Sequence, residues 1–311
     1  MNYKLIFGSL FALFVCSTLI LYLIIPADNF DLDAVEGILK FKVLEGNSNF
    51  TLGNFTENMM QKNMSLRFPT PNITYKIYDC PLQKQTDMLD AFKIMENETI
   101  LKFNPVESGE QIKIDCDGET KMEEGLFVGG EGGPTNVSNI GKMYVIFNGK
   151  ILLIRDSKCE RPNIAIHELL HVLGFTHSEN KNNIMYSISK CSQTIGDDIP
   201  QLINELYSIP SQPDLIFGNV TAEMNKRYLN TVIQIKNEGL ADAQKSRLAI
   251  YAEDKFIKGF ETNALPISYG TSITINNLQM PNENIKEIKY EIENPSEELD
   301  KENNKIILKI E

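Results

Sequence analysis

Histidine is scarce in this chain. Its 311 residues include three, and all three lie between His167 and His177. With no fourth histidine, a second zinc site built on imidazole is excluded. Positive charge is also short: 30 Lys and Arg stand against 42 Asp and Glu, a net charge of −12. That balance argues against nucleic acid, or an anionic membrane surface, as the main partner. No cysteine falls between residues 27 and 62, so that stretch cannot supply a thiolate to plug a metal site. The run Gly129-Gly130-Glu131-Gly132-Gly133-Pro134 is not followed by Gly-Lys-Ser/Thr, so it is not a phosphate loop. A flexible rim loop over Gly125 to Asn139 is expected instead. An aspartate-rich calcium loop is missing too, and structural calcium therefore has no support.

One long apolar run is present, from Leu5 to Ile25. It matches the roughly 20 residues of a membrane-spanning helix and exceeds the roughly 7–15 of a signal-peptide core. Lys4 precedes it and Asp28, Asp31 and Asp33 follow, so the rest of the chain is expected outside the cell. The expected division is an N-terminal membrane anchor at 1–26 and a spacer or ectodomain start at 27–62. Secretion after signal cleavage is the alternative to the anchor. A domain at 63–210 that holds all three histidines and a β-sandwich at 211–311 follow. Beyond the run, Cys80, Cys116, Cys159 and Cys191 are even in number and fit two disulfides in an oxidising compartment. Three pairings are open, and Cys80–Cys116 with Cys159–Cys191 is the sequence-local one. Seven Asn-x-Ser/Thr triplets, from Asn49 to Asn219, agree with an exported surface.

Residues Ile38 to Leu44 are strand-like, and regular patterning starts at Ser65. Ile73 to Ile77 alternates as a strand. Thr86 and Asp87 can cap a helix that carries Met88, Phe92 and Met95 on one face. Leu101 to Phe103 and Ile112 to Ile114 read as strands. Met143 to Ile154 reads as a hairpin folded at Asn148-Gly149. A helix is expected to start near Arg161-Pro162, and another spans Asp197 to Tyr207. The two prolines in Ile209 to Asp214 mark a boundary. After it, Leu229/Thr231/Ile233/Ile235 and Ile288/Tyr290/Ile292 alternate with polar residues, as strands of a two-sheet sandwich do.

His167 and His171 are four residues apart, so on a helix their side chains stack on one face. Ile166, Leu169 and Leu173 form a separate stripe that can face the core. Gly174 can end the helix in a left-handed conformation and turn the chain, so that His177 approaches from another direction. Three neutral imidazoles with one position left open are the donor set of catalytic zinc. Glu168 lies beside the first ligand, placed to accept a proton from water activated by the metal and to pass it to a leaving amine.

The pattern His167-Glu168-x-x-His171-x-x-Gly174-x-x-His177 resembles the zinc signature of the metzincin metallopeptidases. Asn183-Ile184-Met185-Tyr186 is similar to their Met-turn, which implies that Met185 forms an apolar floor at the site. Asn72 to Ile77, Ala91 to Ile94 and Asp197-Asp198-Ile199 resemble matrixin elements. The similarity covers Met64 to Tyr207, strongly at the zinc motif and loosely elsewhere. It implies an α+β metzincin-like catalytic domain, with a twisted mixed sheet and an active-site helix. It also implies a zinc endopeptidase that takes protein or peptide substrates along a sheet edge near Gly125 to Val128. Ser187 stands two residues beyond Met185, where astacin-like members have a metal-binding tyrosine. The all-β, Ig-like sandwich is similar to CARDB modules at Pro213-Asp214-Leu215, Lys236 to Gly239 and Glu302-Asn303-Asn304, which implies a binding or spacing role. The alternative is a surface adhesion or scaffold protein whose metzincin domain holds metal without proteolysis. A zinc amidase is a third reading.

Overall fold

The patterning is built out in a computed structural model that describes residues 46–48, 50, 65–119, 121–123, 126–141, 143–156 and 158–310. The run from Leu5 to Ile25 and the strand-like Ile38 to Leu44 lie outside the described residues. Among the described residues, no helix is long and apolar enough to cross a membrane.

The N-terminal body contains eight strands and three helices among the described residues. In chain order these are β1 (Ser65–Arg67), β2 (Asn72–Ile77), α1 (Leu82–Glu98), β3 (Lys102–Pro105), β4 (Ile112–Cys116), β5 (Met122–Glu123) and β6 (Leu126–Phe127). There follow β7 (Gly130–Ile140), β8 (Met143–Leu153), α2 (Asn163–Val172) and α3 (Asp198–Ser208). One mixed sheet has the order β1-β8-β4-β2-β3, with β7 added on β8. Strand β8 takes β1 and β4 in parallel along one edge and β7 antiparallel along the other. Strand β7 is thus one edge of the sheet among the described residues, and β3 is another. The helices bury Met88, Met95, Leu169 and Leu170 in one core with Ile112, Ile114 and Ile146. Gly46, Asn47, Ser48 and Phe50, inside the stretch read as a spacer, are part of this body, and Phe50 is buried in the same core.

Three sequence expectations are corrected here. The segment 143–153 is one continuous strand, not a hairpin, and Asn148-Gly149 lies in its middle. A Cβ on Gly149 would collide with the Val172 side chain, so this glycine answers to helix packing and not to a turn. The glycine-rich stretch expected as a flexible loop is, from residue 130 onward, the edge strand β7. Helix α1 starts four residues before Thr86, whose hydroxyl donates inside the helix to the Leu82 carbonyl at 2.9 Å. The other strands and helices expected within the described residues are present to within about two residues at their ends.

Two disulfides hold this body, Cys80–Cys116 and Cys159–Cys191, the sequence-local pairing. The second one closes a loop that contains all three histidines, Glu168 and Met185. Arg67 is 1% exposed and has no carboxylate partner among the described residues. Its guanidinium donates to the carbonyls of Leu206 at 2.7 Å and Ile209 at 2.8 Å, where α3 ends, and stacks 4.4 Å from the centre of the Tyr207 ring. Burial lowers its pKa from the usual arginine value.

The second body is a two-sheet sandwich. Its strands are β9 (Leu215–Asn225), β10 (Tyr228–Asn237), β11 (Arg247–Ala252), β12 (Lys255–Glu261), β13 (Gly270–Gln279), β14 (Glu287–Glu293) and β15 (Lys305–Lys309). One sheet has the order β13-β10-β9 and the other β12-β11-β14-β15. Alternation on β10 buries Leu229, Thr231, Ile233 and Ile235, as the sequence period requires. The Tyr290 hydroxyl donates to Thr231 Oγ1 at 2.8 Å, which satisfies two buried polar groups between the sheets. Ile140, Met143 and Val145 meet Leu240 and Ile267 in a small apolar cluster where the two bodies adjoin.

Candidate active site

Helix α2 forms because Ile166, Leu169, Leu170 and Val172 give it a continuous buried stripe, and no proline follows Pro162 within it. It ends at Gly174, with φ at +98°, where the Gly174 and Phe175 amides take the carbonyls of His171 and Leu170 at 3.0 Å each. That turn brings His177 back toward the helix. The three imidazoles converge: His171 Nε2 lies 3.0 Å from His167 Nε2 and 3.3 Å from His177 Nε2. Among the described residues this is the one cluster of three His, Cys, Asp or Glu side chains that could hold a metal.

The donor set fits zinc. A tetrahedral ion at about 2.0–2.1 Å from each nitrogen would need nitrogens roughly 3.3–3.4 Å apart, close to the two separations from His171, and all three lie within 4.8 Å of one another. Two of the rings are also held in the tautomer a metal needs. His167 Nδ1 donates to the Ile184 carbonyl at 2.7 Å, and His171 Nδ1 donates to the Phe175 carbonyl at 2.6 Å. Each Nε2 is then left with a free lone pair. Burial, with the neighbouring imidazoles, drives His167 down to about 3. Burial takes His171 to about 4 and also lowers His177. All three are neutral at pH 7 and ready to ligate.

Glu168 is 5% exposed and lies against the edge strand. Gly130 and Gly132 make that approach possible. A Cβ on Gly130 would stand 2.8 Å from Glu168 Cγ, and one on Gly132 would overlap the Glu168 carbonyl. Two glycines spaced by two occupy one face of a strand, and here helix backbone covers that face. The Glu168 carboxylate has no hydrogen bond or ion pair among the described residues. Burial first, and the charge of Glu131 second, push its pKa up to about 8.

That shift has a consequence for the metal-free protein. A folded pKa of about 8 against an ordinary 4.5 means that the folded state keeps a proton the unfolded chain releases. The stability this contributes is complete below pH 4.5 and is lost as pH rises toward 8. Glu168→Gln, which keeps the shape without the charge, is expected to stabilise the metal-free protein above pH 8 by on the order of a few kcal/mol, and hardly at pH 4.5. Thermal unfolding at both pH values in chelator measures this. An equal difference at both would contradict it.

Met185 is fully buried. Its carbonyl accepts the Ser178 amide at 2.8 Å, and its own amide donates to Asn183 Oδ1 at 2.8 Å, tying the third-ligand segment to the turn that holds this methionine. Nothing in the sequence pattern points to Arg67, to the bond between Ser48 and Asp198, or to the approach of Asn47, Ser48 and Phe50 to this region. The glycine spacing at 130 and 132 was the available signal for the strand.

Residues 60–202 match the family described as Astacin (Peptidase family M12A). That match supports a zinc-dependent peptidase of the metzincin kind and gives no support to a matrixin-like subtype. Zinc is the metal of that family, and the histidine triad supplies a place for it. No curated protein matches the chain. Among solved structures, a CARDB domain from Pyrococcus furiosus in complex with di-metal ions is similar at 18% identity and a TM-score of 0.28, covering 32% of this chain and 87% of that one. Myroilysin is similar at 18% identity and a TM-score of 0.26, covering 37% and 53%. High choriolytic enzyme 1, a hatching enzyme zinc-protease from Oryzias latipes, is similar at 18% and 0.25, covering 40% and 55%. The chain spans about half the length of these two proteins. Two disulfides, together with the family, suggest an extracellular or secreted protein.

Proposed function

We propose that the N-terminal body, residues 63–210 with the packed residues before it, is a zinc endopeptidase working outside the cell. One observation carries the reading: three imidazole nitrogens converge on a point, two of them 3.0 Å apart, beside a buried carboxylate that makes no hydrogen bond or ion pair among the described residues. His167, His171 and His177 would hold the ion. When bound, zinc supplies Lewis acidity toward a carbonyl and lowers the pKa of water to about 7. Glu168 is the general base in this reading. It takes the proton of the attacking water and gives it to the departing amine. Burial, aided by the charge of Glu131, keeps Glu168 protonated in the metal-free protein, and the positive charge of a bound zinc would favour the carboxylate that a base needs. Gly174 supports the site by turning the chain, and Met185 by filling the core under the turn.

An extended substrate suits the edge strand. Strand β7 pairs only with β8 among the described residues, so the opposite main-chain edge of Gly130 to Pro134 is open to a peptide added as a further strand. Ser187, in place of a tyrosine, leaves the ligand set at three histidines. The apolar run of residues 5–25 serves as the anchor, and the sandwich at 211–311 as a binding or spacing module.

The full chain is expected to cleave an unfolded protein, to stop when a chelator removes the metal, and to recover when zinc is restored. Internal cuts found by mass spectrometry would establish an endopeptidase. Cleavage that persists without metal would refute the reading.

A further inference from the structure

The three zinc ligands come from one helix and the turn after it, yet their orientation converges on residues more than a hundred positions earlier. Asn47 Oδ1 accepts from Asn183 Nδ2 at 2.7 Å, and Asn183 immediately precedes Ile184, whose carbonyl orients His167. Phe50 packs edge-on against Phe175, with ring centres 5.8 Å apart, and the Phe175 carbonyl orients His171. The Ser48 carbonyl accepts from Ser178 Oγ at 2.7 Å, and Ser178 directly follows His177. His177 needs this most, because its Nδ1 has no orienting bond among the described residues. Each ligand's support thus meets this N-terminal stretch once.

The stretch is itself anchored. The Ser48 amide donates to Asp198 Oδ2 at 2.9 Å, and the Ser48 hydroxyl donates to the same oxygen. The Asn47 carbonyl accepts from Asn180 Nδ2 at 2.7 Å, and Asn47 Nδ2 donates to Thr194 Oγ1 at 3.0 Å. Ser48 and Asn183 are fully buried, and Ser178 and Phe50 are 4% exposed. The bonds of Ser48 to Asp198 and Ser178 are buried, whereas those of Asn47 are half-buried or exposed. Asn47, Ser48 and Phe50 themselves precede residues 60–202, the span that matches a known family, whereas their partners lie within it.

We propose that Asn47, Ser48 and Phe50 are positioning residues for the metal, a shared brace that sets the orientation of all three histidines. This rests on the reading of those histidines as zinc ligands. Partners behind the ligands typically change metal affinity by about 10–100-fold when removed. Asn47→Ala removes the bonds to Asn183 and Thr194, and Ser178→Ala removes the tie to Ser48.

The test is the zinc affinity of the full-length protein and each variant, measured by competition with a chromophoric chelator, alongside unfolding of the metal-free forms. Each variant is expected to bind zinc about 10–100-fold more weakly. Ser178→Thr, which keeps the hydroxyl, should bind within a few-fold of the parent. Affinities within twofold of the parent, with only the metal-free stability lowered, would reduce the brace to ordinary packing and overturn the proposal. If Asn47→Ala does not fold, the Ser178→Ala and Ser178→Thr pair decides the matter. A parent protein that binds no zinc would instead refute the zinc-peptidase reading itself.

Discussion

Glu168→Gln is expected to lower peptide hydrolysis by roughly 10²–10⁴-fold while leaving zinc bound, because a positioned general base is worth about that much. Glutamine keeps the volume beside Gly130 and Gly132, so the helix stays seated on the edge strand. It cannot accept the proton of the attacking water. The three imidazoles are untouched, and their Nδ1 bonds to Ile184 and Phe175 do not involve residue 168. The measurement is turnover on a denatured protein substrate together with metal content after dialysis. Loss of activity with full zinc occupancy fits a base. Loss of both would make Glu168 a structural residue, and full activity would remove it from the mechanism.

The second large effect lies away from the site. Arg67→Met is expected to lower stability by at least about 3 kcal/mol, since hydrogen bonds to a charged group count for roughly 1.5–3 kcal/mol each and their loss leaves buried carbonyls without donors. The acceptors at risk are the carbonyls of Phe68, Leu206 and Ile209, the last being where the chain leaves α3 for the sandwich. Thermal unfolding should show a drop of roughly 6–12 °C, at about 2–4 °C per kcal/mol for a domain this size. Methionine fills most of the volume, so a cavity would contribute little. A change under about 1 kcal/mol would mean that water replaces the guanidinium at no cost.

The difference between these two residues explains what could be read from the chain alone. Glu168 sits in a local pattern: its helix, its ligand neighbours and the glycine that ends the helix lie within a dozen positions. Side-chain spacing is sufficient there. The strands of the sandwich are readable for the same reason, since burial on β10 follows a period of two. Arg67 in Ser-Leu-Arg-Phe has no such pattern. Its burial arises from carbonyls exposed by the end of a helix some 140 positions later. Asn47 and Ser48 are hidden likewise, with partners 130 to 150 positions away. The glycine-rich edge strand was misread for a different reason. Glycine disfavours strands on propensity alone, and only the close approach of α2 turns it into a requirement. Asn148-Gly149 failed in the same way, a turn signal outweighed by Val172 on the opposing helix.

The disulfide Cys159–Cys191 bears on how such a protein survives its own kind. Any cut between residues 160 and 190 leaves the two ends covalently joined, so His167, His177 and Met185 stay in one molecule after a nick. Rejoining the halves is then a first-order event, independent of dilution, and a bridge spanning 32 positions removes roughly 3–4 kcal/mol of loop entropy from the opened chain. A damaged copy can hold its metal where an unbridged one would fall apart. A thiol that opens the bridge takes away that tolerance, and as a metal-binding sulfur it also competes for the zinc. Reducing surroundings would therefore remove the tolerance of nicks and also draw off the metal.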